Sequence, residues 1–403
     1  MADFYQTGII ITLHKLGRPS LEKIESEIFE FSKQRPIALV LPALYTEFQA
    51  DAIKGIVEEL KKVKYVQEIV LTLGRATDEQ FKEVKKFMSQ IPYEVKVIHN
   101  DGKRIKEIYA TLERNGLSPG EDGKGRATWI AYGYIIASGR ADVIAIHDCD
   151  IVTYNREMLA RLCYPVVNPH IDVTFCKGFY SRVSDRMHGR VTRLLITPLV
   201  RSLQKIVGFH PFLVFLDSFR YPLAGEFCMI TDLARVLRIP WDWGLEVGVL
   251  SEVFRNYSAR RVSQVDIADN YEHKHQPLSA DDAQKGLMRM CVDISKTIFR
   301  VLAAEGVVFS DALFKSLEVA YLRFAEDTMM KYEADAAING LIFDRHEETK
   351  AVEAFANAIK MSAKIFIENP LGTPLIPNWN RVGSAIPGIF DMLKKAVEED
   401  NKF

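Results

Sequence analysis

The first part of the chain alternates short apolar runs with segments in which apolar residues recur every three or four positions. This alternation is typical of strands followed by amphipathic helices. Near the N-terminus the apolar run has no basic start and no small-residue cleavage site, so we predict a strand and not a signal peptide. The later strands are predicted over IALVL (37–41), EIVLTL (68–73), EVKVIH (94–99) and VIAIHDCD (143–150), and the helices over 51–62, 78–89, 105–114 and 127–137.

Strand and helix alternation of this kind predicts an α/β fold in which helices cover a parallel sheet. In such sheets, ligands bind beyond the carboxyl ends of the strands. Three segments directly follow predicted strands, namely 42–47, 72–75 and 148–150. We therefore expect these three loops to converge on one crevice.

The pattern changes twice in the remainder of the chain. Residues 171–275 mix apolar runs with turn-rich loops, which we interpret as an acceptor-binding continuation of the same domain. Beyond about residue 280 helical periodicity dominates, and Ser310 is a good N-cap for one of these helices. We predict a catalytic domain over 1–280 and a helical region over 281–403 with helices at 281–304, 310–337, 347–368 and 387–399; an apolar stripe of Leu313, Leu317, Ala320 and Phe324 indicates core packing or a homodimer contact.

Composition limits the kinds of molecule that the protein is expected to bind and the compartment in which it is expected to lie. The 52 Lys and Arg residues nearly balance the 53 Asp and Glu residues, so no overall field favours nucleic acid or an anionic membrane. The five cysteines are odd in number and form no CxxC pair, which argues against a disulfide framework and a zinc site. A reducing, cytoplasmic location follows.

The most apolar later stretch is 194–216. Arg201, Lys205, Pro198 and Pro211 interrupt it, and it falls short of a membrane-spanning helix. A buried helical hairpin is the favoured interpretation, and a face that lies on a membrane is the alternative.

Asp148 and Asp150 form a D-x-D pattern at the end of the apolar run VIAIH. Alternate side chains of a strand point to one side, so both carboxylates can face a hard cation, which prefers oxygen ligands. Such a cation bridges the diphosphate of a nucleotide. A solvated loop is the alternative, since D-x-D also arises by chance.

Two polar segments are candidate partners for such a metal and diphosphate. His273 in EHKHQPLS is a candidate third ligand because neutral imidazole binds divalent ions, although a surface histidine has the same pattern. Lys124 lies between glycines in EDGKGRA, where the backbone can approach a phosphate and the ammonium supplies charge. A flexible charged turn is the other interpretation.

Further candidates concern the sugar and the acceptor. Gly189-Arg190-Val191-Thr192 combines a guanidinium with a hydroxyl, which suits a phosphate or carboxylate, while a basic surface turn is equally compatible. Glu226 and Glu246 are acidic residues in apolar, aromatic surroundings. Such carboxylates bond a sugar hydroxyl or a backbone group, or serve as structural caps.

In order along the chain, several short segments together resemble the family of glucosyl-3-phosphoglycerate synthases, retaining glycosyltransferases of the GT-A fold. The resemblance spans about residues 40–278 and leaves the helical C-terminal third uncovered. His275 stands where the family often has asparagine. The matching segments are VLPALYTE (40–47), GKGRA (123–127), HDCDI (147–151), GRVT (189–192), PLAGE (222–226), WGLEVGVL (243–250) and HKHQPL (273–278).

The resemblance implies a role for each matching position. The catalytic group would be Glu246, Lys124 and Asp150, and the metal, Mg²⁺ or Mn²⁺, would be held by Asp150, His273 and Asp148. The donor-binding residues would be Pro42, Ala43, Leu44, Glu47, Thr72, Lys124, Asp148, Cys149, Leu223, Ala224 and Glu246. The acceptor-binding residues would be Gly189, Arg190, Val191, Thr192 and His275.

The implied reaction moves glucose from a nucleotide sugar, UDP-glucose by preference, to the 2-hydroxyl of 3-phosphoglycerate, a step of glucosylglycerate (compatible-solute) biosynthesis. Retention by front-face displacement is the favoured mechanism, because no placed nucleophile emerges from the sequence. Three alternatives remain open: a mannosylglycerate-type synthase that uses GDP-mannose and glycerate, a polyprenyl-phosphate glycosyltransferase, and a non-catalytic protein that binds sugar nucleotides.

Overall fold

The computed structural model describes residues 6, 8–17, 20–272, 286–372 and 375–402. Its strands are β1 (Ile11–Leu13), β2 (Ile37–Leu44), β3 (Val66–Gly74), β4 (Val95–His99), β5 (Val143–Ile146), β6 (Phe175–Tyr180), β7 (Phe227–Ile230) and β8 (Val262–Ala268). Its α-helices are α1 (Leu21–Ser32), α2 (Ala52–Leu60), α3 (Asp78–Met88), α4 (Lys103–Arg114), α5 (Lys124–Ser138), α6 (Arg156–Val167), α7 (Thr197–Val207), α8 (Pro211–Asp217), α9 (Thr231–Val236), α10 (Leu245–Asn256), α11 (Gly286–Ala304), α12 (Asp311–Ile338), α13 (Arg345–Glu368), α14 (Trp379–Ala385) and α15 (Ile389–Asp400).

The strands form one mixed sheet in the order β1-β8-β6-β7-β5-β2-β3-β4. The predicted parallel arrangement is confirmed for β2, β3, β4 and β5, and the predicted N-terminal strand pairs with β8 at one edge. The mixed region supplies β7, which runs antiparallel between β5 and β6. β7 has only four residues, which is too short a run for a hydrophobic pattern to predict the direction of the strand. The sheet is of the GT-A type.

Several element boundaries that bear on the site differ from the predictions. β2 continues to Leu44 and β3 to Gly74, so the predicted segments 42–47 and 72–75 begin inside these strands. β5 ends at Ile146, so Asp148 and Asp150 lie in the turn beyond it. The expectation that strand alternation orients the two carboxylates is therefore wrong. Helix α5 begins at Lys124, three residues before the predicted start, and a Cβ at Gly125 in its first turn would lie 2.1 Å from the carbonyl oxygen of Pro240, so glycine allows this close approach.

The apolar stretch 194–216 forms part of a buried helical hairpin made by α7 and α8. Leu194, Leu203, Phe212 and Phe215 are fully buried, which confirms the favoured interpretation. A π-helical turn, Val191–Ile196, precedes α7 and is continuous with it. Over the described ranges, no helix is long and apolar enough to span a membrane.

The C-terminal helices share one hydrophobic core with the sheet. Ser310 caps α12 by accepting from the amide of Leu313, as predicted. The buried stripe of α12 is Phe314, Leu317, Tyr321 and Ala325, so the predicted stripe is wrong in three of its four positions, which lie one residue away at the rim of the contact. The predicted division at 280/281 lies outside the described residues and remains a prediction.

Two tryptophans join α5 to the C-terminal segment. The rings of Trp129 and Trp379 stack at 4.1 Å, and the indole N–H of Trp379 donates to the carbonyl of Trp129. In return, the indole N–H of Trp129 donates to the carbonyl of Pro377. A Cβ at Gly133 would lie 2.0 Å from the Trp379 ring, so glycine makes room for this contact.

We expect Trp379→Ala to lower the free energy of unfolding by about 3–5 kcal/mol, because it removes a fully buried side chain and leaves a cavity. Phe209→Ala is the control, since the Phe209 side chain is 85% exposed. Urea denaturation of both variants gives the comparison. Equal stabilities would contradict the role assigned to the tryptophan pair.

Candidate active site

A cavity of about 910 Å³ opens at the carboxyl ends of β2, β3 and β5. The three loops that follow these strands line it, which confirms the predicted convergence on one crevice. The lining residues are Pro42, Ala43 and Leu44 at the end of β2 with Glu47 beyond it, Gly74 at the end of β3 with Arg75 beyond it, and Asp148, Cys149 and Asp150 beyond β5.

Most of the other residues that were predicted to belong to the site line the same cavity. Lys124, Gly189, Arg190, Val191, Thr192, Leu223 and Glu246 also line the cavity. Thr72 and Ala224 do not: Thr72 is buried within β3, and Ala224 is buried one residue before Gly225, which does line the cavity. Thr72 lies two residues before the lining residue Gly74, and Ala224 lies one residue before Gly225. Both predicted side chains are therefore in the protein interior and not at the cavity wall. His273 and His275 lie outside the described residues.

Lys124 and two carboxylates form the charged centre of the cavity. Its Nζ lies 2.7 Å from Oδ1 of Asp148 and 3.3 Å from Oε1 of Glu246. Burial alone would lower the pKa of Lys124, but the negative charges of Asp148 and Glu246 outweigh burial and raise it. Lys124 is therefore a permanent cation at the first position of α5.

Glycines allow this centre to form. A Cβ at Gly225 would lie 2.4 Å from Oδ2 of Asp148 and 2.8 Å from Nζ of Lys124. A Cβ at Gly123 would lie 2.4 Å from the carbonyl oxygen of Trp241. Side chains at these two positions would displace the ion pair or the loop that carries it.

Glu226 lies beneath the cavity and does not line it. Its two oxygens accept from the hydroxyls of Tyr271 (2.7 Å) and Tyr180 (2.9 Å), whose rings stack at 3.8 Å. Burial and the charge of Asp148 raise the pKa of Glu226. Its place supports the structural interpretation: Glu226 orders the tyrosines under the charged centre.

Lys177 is the second buried lysine of this region. Its Nζ donates to the carbonyl of Ala224 at 2.6 Å, next to Gly225. Burial lowers the pKa of Lys177 to about 8, against the opposing charges of Glu246 and Glu226. It fixes the backbone on which the glycine of the charged centre lies.

The cavity wall around Arg190 is basic, but it has an acidic partner that the sequence did not reveal. Nε of Arg190 donates to Oε1 of Glu348 at 2.8 Å, and Nη1 of Arg193 lies 3.0 Å from Oε2 of the same carboxylate. Glu348 lies on α13 and is 158 positions away from Arg190 in the chain. No local spacing signals such a contact. The residues of the C-terminal helical region that line the cavity are Leu287, Arg289 and Met290 of α11, and Ile342, Phe343, Asp344, Glu347 and Glu348.

Two further lining residues were not assigned a role, although Arg75 lies in the segment 72–75 that was predicted to line the crevice. Arg75 has a positive φ of 54°, which is rare for a residue with a side chain, and its Nε lies 3.3 Å from Oδ2 of Asp122. Asn100 accepts from the Tyr109 hydroxyl, while its amide nitrogen is buried without a partner among the described residues. Arg75 follows β3 and Asn100 follows β4. A position directly after a strand is the feature of the sequence that could have indicated both residues.

The chain is 52% identical over 401 residues (100% of this chain, 99% of the relative) to the glucosyl-3-phosphoglycerate synthase of Persephonella marina. It is 37% identical over 405 residues (99% of this chain, 98% of the relative) to that of Methanococcoides burtonii. No model of a protein family matches the chain.

Among solved structures, the glucosyl-3-phosphoglycerate synthase of Mycobacterium tuberculosis in complex with Mn²⁺, UDP-glucose and phosphoglyceric acid is similar. The TM-score is 0.54, the identity is 21%, and the match covers 75% of this chain and 89% of that chain. At this identity the likeness supports the fold alone.

Proposed function

This chain belongs to the family of glucosyl-3-phosphoglycerate synthases and is a glycosyltransferase, and on that premise we propose that it moves glucose from UDP-glucose to the 2-hydroxyl of 3-phosphoglycerate with retention at the anomeric carbon. One observation carries the proposal. A single cavity contains both the Lys124, Asp148 and Glu246 centre and the Arg190 and Thr192 group. The first suits a sugar diphosphate, and the second suits a small phosphorylated acid.

For the donor, we assign the uridine and ribose to the carboxyl end of β2 and the turn beyond it, which supply Pro42, Ala43, Leu44 and Glu47. Gly74 and Arg75 replace Thr72 in this assignment, because they line the cavity and Thr72 does not. The diphosphate lies at Lys124 and Asp148 with Cys149 alongside. The glucose is bordered by Leu223, Gly225 and Glu246.

The residues present fit a hard divalent cation, Mg²⁺ or Mn²⁺. Asp148 and Asp150 offer carboxylate oxygens at the cavity wall, and such ions are commonly held by one or two carboxylates together with substrate phosphates. Within the described ranges, no group of three or more His, Cys, Asp or Glu side chains could hold a metal. The expected third ligand, His273, lies outside those ranges. When bound, the cation supplies positive charge to the diphosphate oxygens.

For the acceptor, we assign the phosphate to Arg190 and Thr192, with the backbone of Gly189 and Val191 beside them. The Thr192 side chain is buried, and its hydroxyl has no partner among the described residues. A buried hydroxyl left without a hydrogen bond is costly, so a ligand oxygen at this point satisfies it. His275 remains a predicted acceptor contact outside the described residues.

In the proposed reaction the 2-hydroxyl oxygen of the acceptor bonds to the anomeric carbon on the face from which the diphosphate leaves. The bond between that carbon and the phosphate oxygen breaks, its electron pair stays on the phosphate, and this oxygen receives the hydroxyl proton. Lys124 stabilises the negative charge that develops on the diphosphate. Glu246, held by Lys124, orients the sugar hydroxyls.

A panel of purified-enzyme assays tests the proposal. UDP-glucose and GDP-mannose are each combined with 3-phosphoglycerate or glycerate, with and without Mg²⁺, and products are identified by mass and anomeric configuration. We expect the α-linked glucosyl-3-phosphoglycerate from UDP-glucose with Mg²⁺. Preferential transfer from GDP-mannose to glycerate would favour the mannosylglycerate-type alternative, and release of no nucleotide would favour a binding protein.

The acceptor assignment makes its own prediction. We expect Arg190→Ala to raise KM for 3-phosphoglycerate by about 10–100-fold, which corresponds to the loss of a hydrogen bond to a charged group. KM for UDP-glucose should change less than about twofold, because the interaction that is removed is made with the acceptor only. Arg114→Ala, on the exposed face of α4, is the matched control. Equal rises in both KM values would contradict the assignment.

We also propose a homodimer and a cytoplasmic location. Helix α12 leaves Val319, Leu322 and Met330 exposed along one face, where a second copy can cover them. All five cysteines are buried free thiols. Sedimentation equilibrium tests the assembly: a monomer at micromolar concentration would contradict it.

A further inference from the structure

We propose that Glu348 is a positioning residue for the acceptor: it holds Arg190 so that the terminal nitrogens of this guanidinium face the cavity. The inference rests on the proposed function of the Arg190 site, which it deepens. It also gives the helical C-terminal region a part in substrate binding.

The Glu348 carboxylate bridges two arginines of the segment that carries the acceptor group. Oε1 accepts from Nε of Arg190 at 2.8 Å, and Oε2 lies 3.0 Å from Nη1 of Arg193. The Glu348 side chain is only 6% exposed. A buried carboxylate held by two cations has little freedom, so it fixes the orientation of whatever it bonds.

Arg193 is the anchor of this arrangement. Its Nε donates to the carbonyl of His188 at 3.0 Å, and its Nη2 donates to the carbonyl of Met187 at 3.3 Å. The guanidinium lies 4.9 Å from the ring centroid of Tyr332 on α12. All three nitrogens of Arg193 therefore contact the protein, and Arg193 ties Glu348 to the loop at 187–188.

Arg190, unlike Arg193, has guanidinium nitrogens that remain available to a ligand. Glu348 takes its Nε, while its terminal nitrogens make no hydrogen bond with the residues that the structure describes. Its side chain is 32% exposed and lines the cavity, and Thr192 is a lining residue close to it in the chain. The paired terminal N–H groups of a guanidinium match two oxygens of a phosphate. Fixing Nε thus presents the bidentate edge of Arg190 beside Thr192.

The position of Glu348 is itself fixed by the fold. It lies in the first turn of α13, where the helix dipole stabilises a carboxylate. Asp344 caps that helix by accepting from the amide of Glu347, and the amide of Ile342 donates to the carbonyl of Asp185. The connection between α12 and α13 is therefore docked on the loop that precedes Arg190. Two arginines against one carboxylate leave a net positive charge for an anionic acceptor.

The test is Glu348→Gln, which keeps the shape but removes the negative charge that holds Arg190 and Arg193. We expect KM for 3-phosphoglycerate to rise about tenfold, with kcat and KM for UDP-glucose within about twofold of wild type. Glu348→Asp retains the charge and should restore part of the acceptor affinity. Glu353→Gln, on the exposed face of α13, is the control and should match wild type.

A double-mutant cycle separates positioning from a general structural role. If Glu348 acts through Arg190, then Glu348→Gln in the Arg190→Ala background should change KM for 3-phosphoglycerate less than about twofold. Independent, multiplicative effects would overturn the inference, as would a parallel loss of kcat and melting temperature without a change in acceptor KM. If Glu348→Gln fails to fold, Glu348→Asp serves in the cycle.

The outcome also distinguishes this inference from the proposed function. A wild-type enzyme that transfers nothing to 3-phosphoglycerate refutes the function itself. A wild-type enzyme that does so, with Arg190→Ala impaired in acceptor KM and Glu348→Gln unimpaired, refutes only the role of Glu348.

Discussion

Replacing Lys124 with alanine is expected to lower kcat by about 10²–10³-fold, the usual effect of removing one preorganised group that stabilises transition-state charge. The ammonium is fixed by Asp148 and Glu246, so it needs no rearrangement as the diphosphate departs. Its raised pKa keeps it charged across the pH range of any assay. The measurement is kcat at saturating UDP-glucose and 3-phosphoglycerate with Mg²⁺.

Lys103→Ala is the matched control, because Lys103 is likewise the first residue of its helix, α4, but is exposed. We expect wild-type kcat for this variant. If Lys124→Ala keeps kcat within about threefold of wild type and only raises KM for the donor, Lys124 contributes uniform binding and not transition-state stabilisation.

Asp150→Asn is expected to lower kcat by about 10²-fold or more and to abolish the response of the rate to Mg²⁺ or Mn²⁺. The substitution keeps the size of the side chain and removes the anionic oxygen that a hard cation prefers. Charge stabilisation by a bound metal amounts to several kcal/mol, which sets this magnitude. Initial rates across a Mg²⁺ titration measure both quantities.

Asp142→Asn offers a control from the opposite end of the same strand, since Asp142 immediately precedes β5 and is exposed. It should retain the wild-type metal response. An Asp150→Asn variant that still shows full activation by Mg²⁺ would exclude Asp150 as a metal ligand.

The strands and helices on the donor side were predictable because their signal is local. β2 is a continuous apolar run that is buried on both faces, as in a covered parallel strand, and in α2 the apolar residues recur with the helical period and are buried. The rule that ligands bind beyond parallel strands then places the loops after β2, β3 and β5 on one cavity. Most of the lining residues on that side follow from these two steps.

What the sequence did not reveal depends on contacts between distant residues. The first turn of α5 contains Gly125, which allows the close approach of Pro240, and no local propensity encodes this contact. The antiparallel β7 is placed by its neighbours in the sheet. Glu348 reaches Arg190 only because α13 docks on the loop before it. Such contacts follow from tertiary packing, and they complete the wall of the cavity around Arg190.

The central claim is that the aspartates beyond β5 hold a cation together with the diphosphate of the donor. Anomalous diffraction from crystals grown with Mn²⁺ and UDP tests it most directly. The account predicts a manganese peak at a coordination distance of about 2 Å from an Asp150 oxygen, in contact with the diphosphate beside Lys124. A manganese ion and diphosphate bound together elsewhere, away from both aspartates, would contradict it.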